Sequence, residues 1–193
     1  MKLKNKYYLL RHGKNNHQEQ NPDIVYCYPD NDTPCFLTEE GINQAKKAGE
    51  MLKEKKIDVI FSSDILRTRQ TAKIVAEIIG IDINNIIYDT RLRDINWGIF
   101  CGKNKQEAWD FDKENDMFDN SPPQGESWKN CQARMKSVLE EIESNFQGKN
   151  IIIVSHGDPL WLLEGYVKAL TKEELLKHKR GKGIPKTGEI IEL

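Results

Sequence analysis

The sequence predicts an α/β fold in which a mainly parallel sheet is covered by helices on both faces. Short apolar runs, Tyr7-Tyr8-Leu9-Leu10, Ile57 to Phe61, Ile86-Ile87-Tyr88 and Ile151-Ile152-Ile153-Val154, have the continuous character of strands buried on both sides. Between them lie segments whose apolar residues recur every three or four positions, and parallel neighbours need such crossover helices.

The first strand ends at Arg11-His12-Gly13, where the glycine lets the backbone turn. An irregular excursion over the sheet edge follows, punctuated by Pro22, Pro29 and Pro34. Thr38 then reads as an N-cap, with Glu39 and Glu40 in the first turn and Ile42, Ala45, Gly49 and Leu52 on one face of a helix ending near Lys56. After the second strand, Ser63 or Asp64 is placed to cap a helix through Leu66, Ile74, Val75 and Ile78, which Gly80 stops. Residues 97–125 differ from the rest, interleaving Trp97, Phe100, Trp109, Phe111 and Phe118 with aspartate and glutamate before Pro122-Pro123. From Trp128, the positions Cys131, Met135, Val138, Ile142 and Phe146 trace a long amphipathic helix feeding the strand at Ile151. Asp158 and Pro159 suit the N-cap and first position of a further helix, and Ile190 to Leu193 forms an edge strand.

A chain of 193 residues is expected to form one domain over 1–193, with a substrate-side loop at 14–37 and a lid or insertion at 97–125. The formal net charge of −1 supplies no field for nucleic acid or an anionic membrane. No apolar stretch approaches the roughly 20 residues of a membrane span. Cys27, Cys35, Cys101 and Cys131 lack C-x-x-C spacing and are expected as reduced thiols, which places the protein in the cytoplasm. The tract Lys177, Lys179, Arg180, Lys182 and Lys186 reads as a solvated face, and His17 and His178 as surface residues. Trp109, Phe111 and Phe118 read as a satellite core ahead of a substrate cage.

Two strands end in His-Gly, at His12-Gly13 and His156-Gly157. Ligands bind beyond the carboxyl ends of strands in such sheets, so both histidines are placed for function. Neither H-E-x-x-H nor paired cysteines appear, which leaves metal ligation the weakest use for them and no cofactor expected. Arg11 beside His12, and Arg67 in the first turn of the helix after the second strand, suggest a pocket for a dianion, because guanidinium forks match phosphate oxygens.

Arg11-His12-Gly13, Ser62 to Ala72, Gly125-Glu126-Ser127 and Ser155-His156-Gly157, in this order, resemble the histidine phosphatase superfamily, the phosphoglycerate mutase-like proteins. The resemblance implies a three-layer α/β/α sandwich and metal-free catalysis through a phosphohistidine. It makes His12 the nucleophile and assigns Arg11, Arg67, His156 and Gly157 to the phosphate pocket. The proton donor it implies falls on Asp94, in Leu92-Arg93-Asp94-Ile95-Asn96-Trp97-Gly98, with Glu126 as the alternative. Aspartate is shorter and more acidic than the family's usual glutamate, so it needs desolvation, here beside Trp97, to hold a proton near neutrality. The two histidines are expected in opposite states: His12 neutral, its second nitrogen held by a backbone carbonyl, and His156 charged.

The mutase branch's longer R-H-G-E-S-x-W-N pattern is replaced here by Arg11-His12-Gly13-Lys14-Asn15-Asn16-His17, and the chain is shorter than a typical mutase. Both departures favour hydrolysis of a small-molecule phosphomonoester, with phosphoglycerate mutase-type transfer as one alternative and a non-catalytic phospho-ligand binding protein as another. The acidic and aromatic segment 97–125 suggests a substrate with an apolar or neutral body. The oligomeric state is left open, a homodimer included.

Overall fold

In a computed structural model, which describes residues 2–26, 34–180 and 183–193, five strands form one sheet. They are β1 (Lys6–Arg11), β2 (Val59–Ser62), β3 (Ile87–Tyr88), β4 (Asn150–Ser155) and β5 (Ile190–Glu192). The spatial order is β3-β2-β4-β1-β5, parallel throughout except for β5, which runs antiparallel to β1 at the edge. The helices are α1 (Asn16–Gln20), α2 (Glu39–Leu52), α3 (Leu66–Ile79), α4 (Lys105–Asn115), α5 (Trp128–Asn145), α6 (Gly157–Val167) and α7 (Lys172–Arg180).

Alternation along the central strands divides the core into two. Tyr7, Leu9, Ile151 and Ile153 point to one face and pack with Met135, Leu139 and Ile142 of α5 and Leu160 to Leu163 of α6. Tyr8, Leu10, Ile152 and Val154 point to the other, against Ala48 and Leu52 of α2 and Ala72, Val75 and Ala76 of α3. The fold is therefore the expected three-layer α/β/α sandwich, and its central strands β1 and β4 are apolar at every interior position because both faces are covered. Glu143, at the end of α5, ties the start of β1 into this core: its carboxylate accepts from Tyr7 Oη at 2.6 Å, Asn5 Nδ2 at 2.8 Å and the Lys4 amide at 2.7 Å.

Several elements begin where tertiary contacts, not local caps, decide. Thr38 does cap α2, its hydroxyl accepting from the Gly41 amide at 3.1 Å, and Gly80 closes α3 at φ 78°. The N-cap of α3 is Ile65, which offers no capping side chain, in place of Ser63 or Asp64. Asp64 instead forms a two-pronged pair with Arg93, at 2.7 and 2.5 Å. α6 starts at Gly157 with His156 as its N-cap, two residues before the expected Asp158. That shift carries Asp158 into the first turn.

Phe100 and Ala108 of 97–125 form a small separate cluster with Val25, joined by Trp97 and Phe111. Phe118 belongs to the main core instead, and Trp109 stays 56% exposed. Lys179 departs from the expected solvated face, its ammonium lying 3.3 Å over the Trp128 ring. Cys35 and Cys131 are free, but Cys101 is disulfide-bonded, so the expectation of reduced thiols fails there. Cys27, Pro29 and Lys182 lie outside the described residues. No helix among the described residues is long and apolar enough to cross a membrane.

Candidate active site

Sheet register brings the two His-Gly segments together. Arg11 pairs with Ser155 across β1 and β4, so His12 and His156 leave adjacent strands at the same level, their rings 5.2 Å apart and at most 2% exposed. Both glycines are required by close approach and not by turning, since neither adopts positive φ. A Cβ on Gly13 would fall 2.3 Å from the Gly41 carbonyl oxygen at the start of α2, and one on Gly157 would fall 3.1 Å from the Arg11 guanidinium carbon.

Arg67, in the first turn of α3, organises the centre. Its Nε donates to His12 Nε2 at 3.2 Å, and its Nη2 donates to His156 Nδ1 at 3.0 Å and to Asp94 Oδ2 at 3.0 Å. The Tyr26 ring covers the guanidinium, with 4.1 Å from its carbon to the ring centre. Thr71, one turn along α3, accepts from the Gly13 amide at 3.1 Å and donates to the Arg67 carbonyl at 2.8 Å, linking the helix to the loop after β1.

These bonds assign both imidazole tautomers. His12 Nδ1 donates to the Gly13 carbonyl at 2.8 Å, leaving the Nε2 lone pair toward Arg67. His156 accepts at Nδ1, and its Nε2–H donates to Ser63 Oγ at 3.0 Å. Burial, reinforced by the Arg67 charge, pushes both histidines well below the ordinary imidazole value. His12 is thus neutral, with its Nδ1 proton donated to a backbone carbonyl, as expected. His156 is neutral as well, which corrects the expectation of opposite charge states: a second cation cannot be desolvated against Arg67 and Arg11 while the pocket holds no anion.

The positive charge resides on the arginines. Arg11 Nη1 donates to the Pro185 carbonyl at 2.8 Å, while Arg11 Nε and Arg67 Nη1 are buried without a hydrogen-bond partner among the described residues. Buried donors without partners are costly, and two of them on guanidinium groups at one point form a ready site for an anion.

Asp94 reaches this point from the loop after β3. Its Oδ1 accepts from the Ile95 amide at 3.0 Å, its Oδ2 from Arg67, and Oδ2 lies 3.6 Å from His156 Nδ1. Glu126 does not line the cavity. Its carboxylate is bound by Arg134 through Nη2 at 2.7 Å and Nε at 3.0 Å, and accepts from the Asn96 amide at 3.0 Å. Arg134 also donates to the carbonyls of Arg91, Arg93 and Asp94, so the pair braces the Asp94 loop from behind.

A cavity of about 300 Å³ opens over Arg11, His12, Arg67, Asp94 and Gly157. Its outer wall takes His17, Ile24, Val25 and Tyr26 from one segment and Trp97, Lys105 and Trp109 from another. His17 is therefore not a plain surface residue: its Nε2 lies 3.0 Å from the Ile24 carbonyl and its ring packs edge-on to Tyr26. Asp158 also lines the cavity, a position that helix patterning assigned to a cap. Its place directly after a strand-end His-Gly was the signal that could have marked it.

Comparison with known proteins agrees with this geometry. A protein of Escherichia coli O1:K1 named probable phosphoglycerate mutase GpmB is 34% identical over 169 residues, covering 84% of this chain and 74% of that one. Among solved structures, a mycobacterial glucosyl-3-phosphoglycerate phosphatase superposes with a TM-score of 0.77 at 22% identity, over 97% of this chain and 89% of the other. The alpha-ribazole phosphatase from Shigella flexneri gives 0.77 at 20% identity over 97% and 89%. The family model for the histidine phosphatase superfamily, branch 1, matches residues 7–182, and the chain belongs to that superfamily.

Proposed function

We propose that the protein hydrolyses small phosphomonoesters through a phosphohistidine on His12. The observation that carries this reading is the pairing of a neutral His12, whose Nε2 accepts only from Arg67 Nε among the described residues, with two buried guanidinium donors that have no partner among those residues, Arg11 Nε and Arg67 Nη1. A phosphoryl dianion seated on those donors places phosphorus in front of Nε2. Charge in the transition state spreads over the three equatorial oxygens, so positioning and positive charge supply most of the catalysis. Arg11 and Arg67 provide that charge directly. His156 follows: the dianion offsets the cationic field that keeps it neutral, and it takes up a proton as substrate binds.

Transfer proceeds by attack of His12 Nε2 on phosphorus as the ester oxygen departs, and then by attack of water on the phosphoimidazole. The Nδ1 bond to the Gly13 carbonyl keeps the ring oriented through both steps. The expected substrate-side loop and lid, 14–37 and 97–125, are supported by the parts of them that line the cavity, from Asn15 to Tyr26 and from Trp97 to Trp109. Beyond the arginines that wall sets Ile24, Val25, Tyr26, Trp97 and Trp109 beside the carboxyl groups of Asp94 and Asp158, and the Lys105 ammonium is tied to the Pro22 carbonyl. These contacts favour a neutral or apolar substrate body over one bearing a second anionic group.

Phosphoglycerate mutase-type transfer is the second reading, favoured by the names of the sequence relatives. One set of assays separates them: phosphate release from an aryl phosphate in chelator, and phosphoryl exchange with 3-phosphoglycerate plus its bisphosphate primer. We expect release that is abolished in His12→Ala, an alkali-stable phosphoenzyme in quenched samples, and little exchange. Release unchanged in His12→Ala would overturn the mechanism. Exchange outpacing release would establish the mutase. Phosphate binding without either reaction would leave a binding protein.

A further inference from the structure

Ser63 follows β2 directly, is fully buried, and reads in the sequence as a helix cap. It does not serve as one, since α3 begins after Ile65 and the Ile65 amide reaches Ser63 Oγ only at 3.4 Å. The same oxygen lies 3.0 Å from His156 Nε2. Ser62 of β2 pairs with Val154 of β4, so the residues that leave these two strands, Ser63 and His156, are neighbours across the sheet edge. The backbone of Ser63 is pinned on both sides. Its amide donates to the Val154 carbonyl at 2.9 Å, and its carbonyl accepts from Ser62 Oγ at 2.8 Å and Thr68 Oγ1 at 2.9 Å. A buried hydroxyl on so fixed a backbone is a preorganised acceptor for the imidazole that meets it.

Arg67 completes the geometry from the opposite side of the ring. Its Nη2 donates to His156 Nδ1 at 3.0 Å, so Nδ1 carries the lone pair and the ring proton sits on Nε2, facing Ser63.

Resting on the phosphoryl-transfer reading, we infer that Ser63 is a positioning residue for His156: by accepting the Nε2 proton it reserves Nδ1, the nitrogen beside Arg67 and Asp94, for the proton taken up when a phosphoryl dianion binds. On binding, a proton from solvent joins the Nδ1 lone pair and Arg67 Nη2 is released to the phosphoryl oxygens. The imidazolium then donates from both nitrogens, through Nε2 to Ser63 Oγ and through Nδ1 to a phosphoryl oxygen. The Nδ1 proton returns to solvent as phosphate leaves, and the resting tautomer is restored.

The charges around the ring show why an acceptor is needed. Burial opposes the second proton most strongly, and Arg67 of α3, His12 and Arg11 at the end of β1 and Arg134 of α5 act in the same direction. Asp94 Oδ2, 3.6 Å from Nδ1, favours it, and an arriving dianion adds further negative charge. Hydrogen bonds from charged groups are stronger than those from neutral ones, so Ser63 stabilises the imidazolium more than the neutral ring.

The test reads protonation directly, with sulfate as an oxyanion that needs no turnover. In ¹⁵N spectra of the wild type at pH 7, His156 is expected as the neutral Nε2–H tautomer without ligand and as imidazolium with saturating sulfate. In Ser63→Ala the sulfate-bound ring should stay neutral, and sulfate affinity and kcat/KM for an aryl phosphate should each fall by about tenfold to 100-fold. In a His156→Ala background, Ser63→Ala should change sulfate affinity less than about twofold, because a residue acting only through His156 has nothing left to act on. A wild-type resting proton on Nδ1, a wild-type sulfate complex with neutral His156, equal protonation in the two sulfate complexes, or a full further loss in the His156→Ala background would each overturn the role of Ser63. The first two need no variant, so they decide even where Ser63→Ala does not fold. Any of these results beside aryl phosphate hydrolysis by the wild type removes Ser63 alone and leaves the phosphatase reading standing.

Discussion

Replacing Arg67 by methionine keeps most of the buried volume of α3 while removing all of its donors. In the resting site those donors reach His12, His156 and Asp94, and a further one, Nη1, has no partner among the described residues. Loss of a single preorganised donor to a developing anion costs about 100- to 1,000-fold in rate. Arg67 presents more than one, so kcat/KM for an aryl phosphate should fall by about 1,000-fold or more, on the order of 4 kcal/mol. A second consequence concerns the histidines. After burial, the Arg67 charge is the strongest influence lowering both imidazole pKa values, so its removal lets both rise. His12 attacks only when neutral, and activity is lost as pH falls through its pKa. The acid limb of the residual activity must therefore move to higher pH. Phosphate release measured in chelator from pH 5 to 8, together with ¹⁵N spectra of the imidazoles, checks both effects. A loss below tenfold in a folded variant, or an acid limb that stays put or moves down, would refute the reasoning.

Other perturbations follow from the same contacts. Both active-site histidines are neutral in the fold and protonated in the unfolded chain below about pH 6.5, so the unfolded state binds the extra protons. Stability is thus complete above that pH and falls below it, by about 1.4 kcal/mol per pH unit for each histidine. Urea midpoints at pH 7.0 and 5.5 should differ in wild type and differ less in His156→Gln. Glu143→Ala orphans the Tyr7 hydroxyl, the Asn5 amide and the Lys4 amide, and should cost about 3 kcal/mol by urea unfolding, partly restored in Glu143→Gln; a loss below about 1 kcal/mol would show that water replaces the carboxylate. Gly157→Ala puts a methyl group 3.1 Å from the Arg11 guanidinium and should lower kcat/KM about tenfold or more, a geometric cost that near-ideal alignment makes large. Glu126→Gln weakens the brace behind Asp94 and should slow aryl and alkyl esters to the same degree, whereas a proton donor at Glu126 would make the loss selective.

Much of the site was readable because strand ends are local events. The runs ending at Arg11-His12-Gly13 and Ser155-His156-Gly157 carry their own hydrophobic pattern, and parallel pairing with β4 between β1 and β2 brings them to one edge. Arg67 was equally accessible, since the first turn of a helix following a buried strand points back over that edge. Helix starts were less legible. Asp64 looks like a cap in isolation, but Arg93, distant in sequence, offers it a two-pronged ion pair and leaves Ile65 to begin α3. The aromatic residues of 97–125 share one local pattern and yet separate into satellite core, main core and cavity wall, because their partners come from other parts of the chain.

By itself, then, the sequence determined the order of the strands and of the helices α2, α3, α5 and α6 between them, the α/β class and four residues that meet at one sheet edge, Arg11, His12, Arg67 and His156. These depend on periodicity and on residue types at element ends, which a linear reading contains. Only the tertiary structure decided that His156 rests neutral, that Glu126 is a brace bound by Arg134, and that Asp158 faces the cavity. Protonation and the direction of a carboxyl depend on desolvation and on charges brought close by folding, and those distances exist only once the layers are packed.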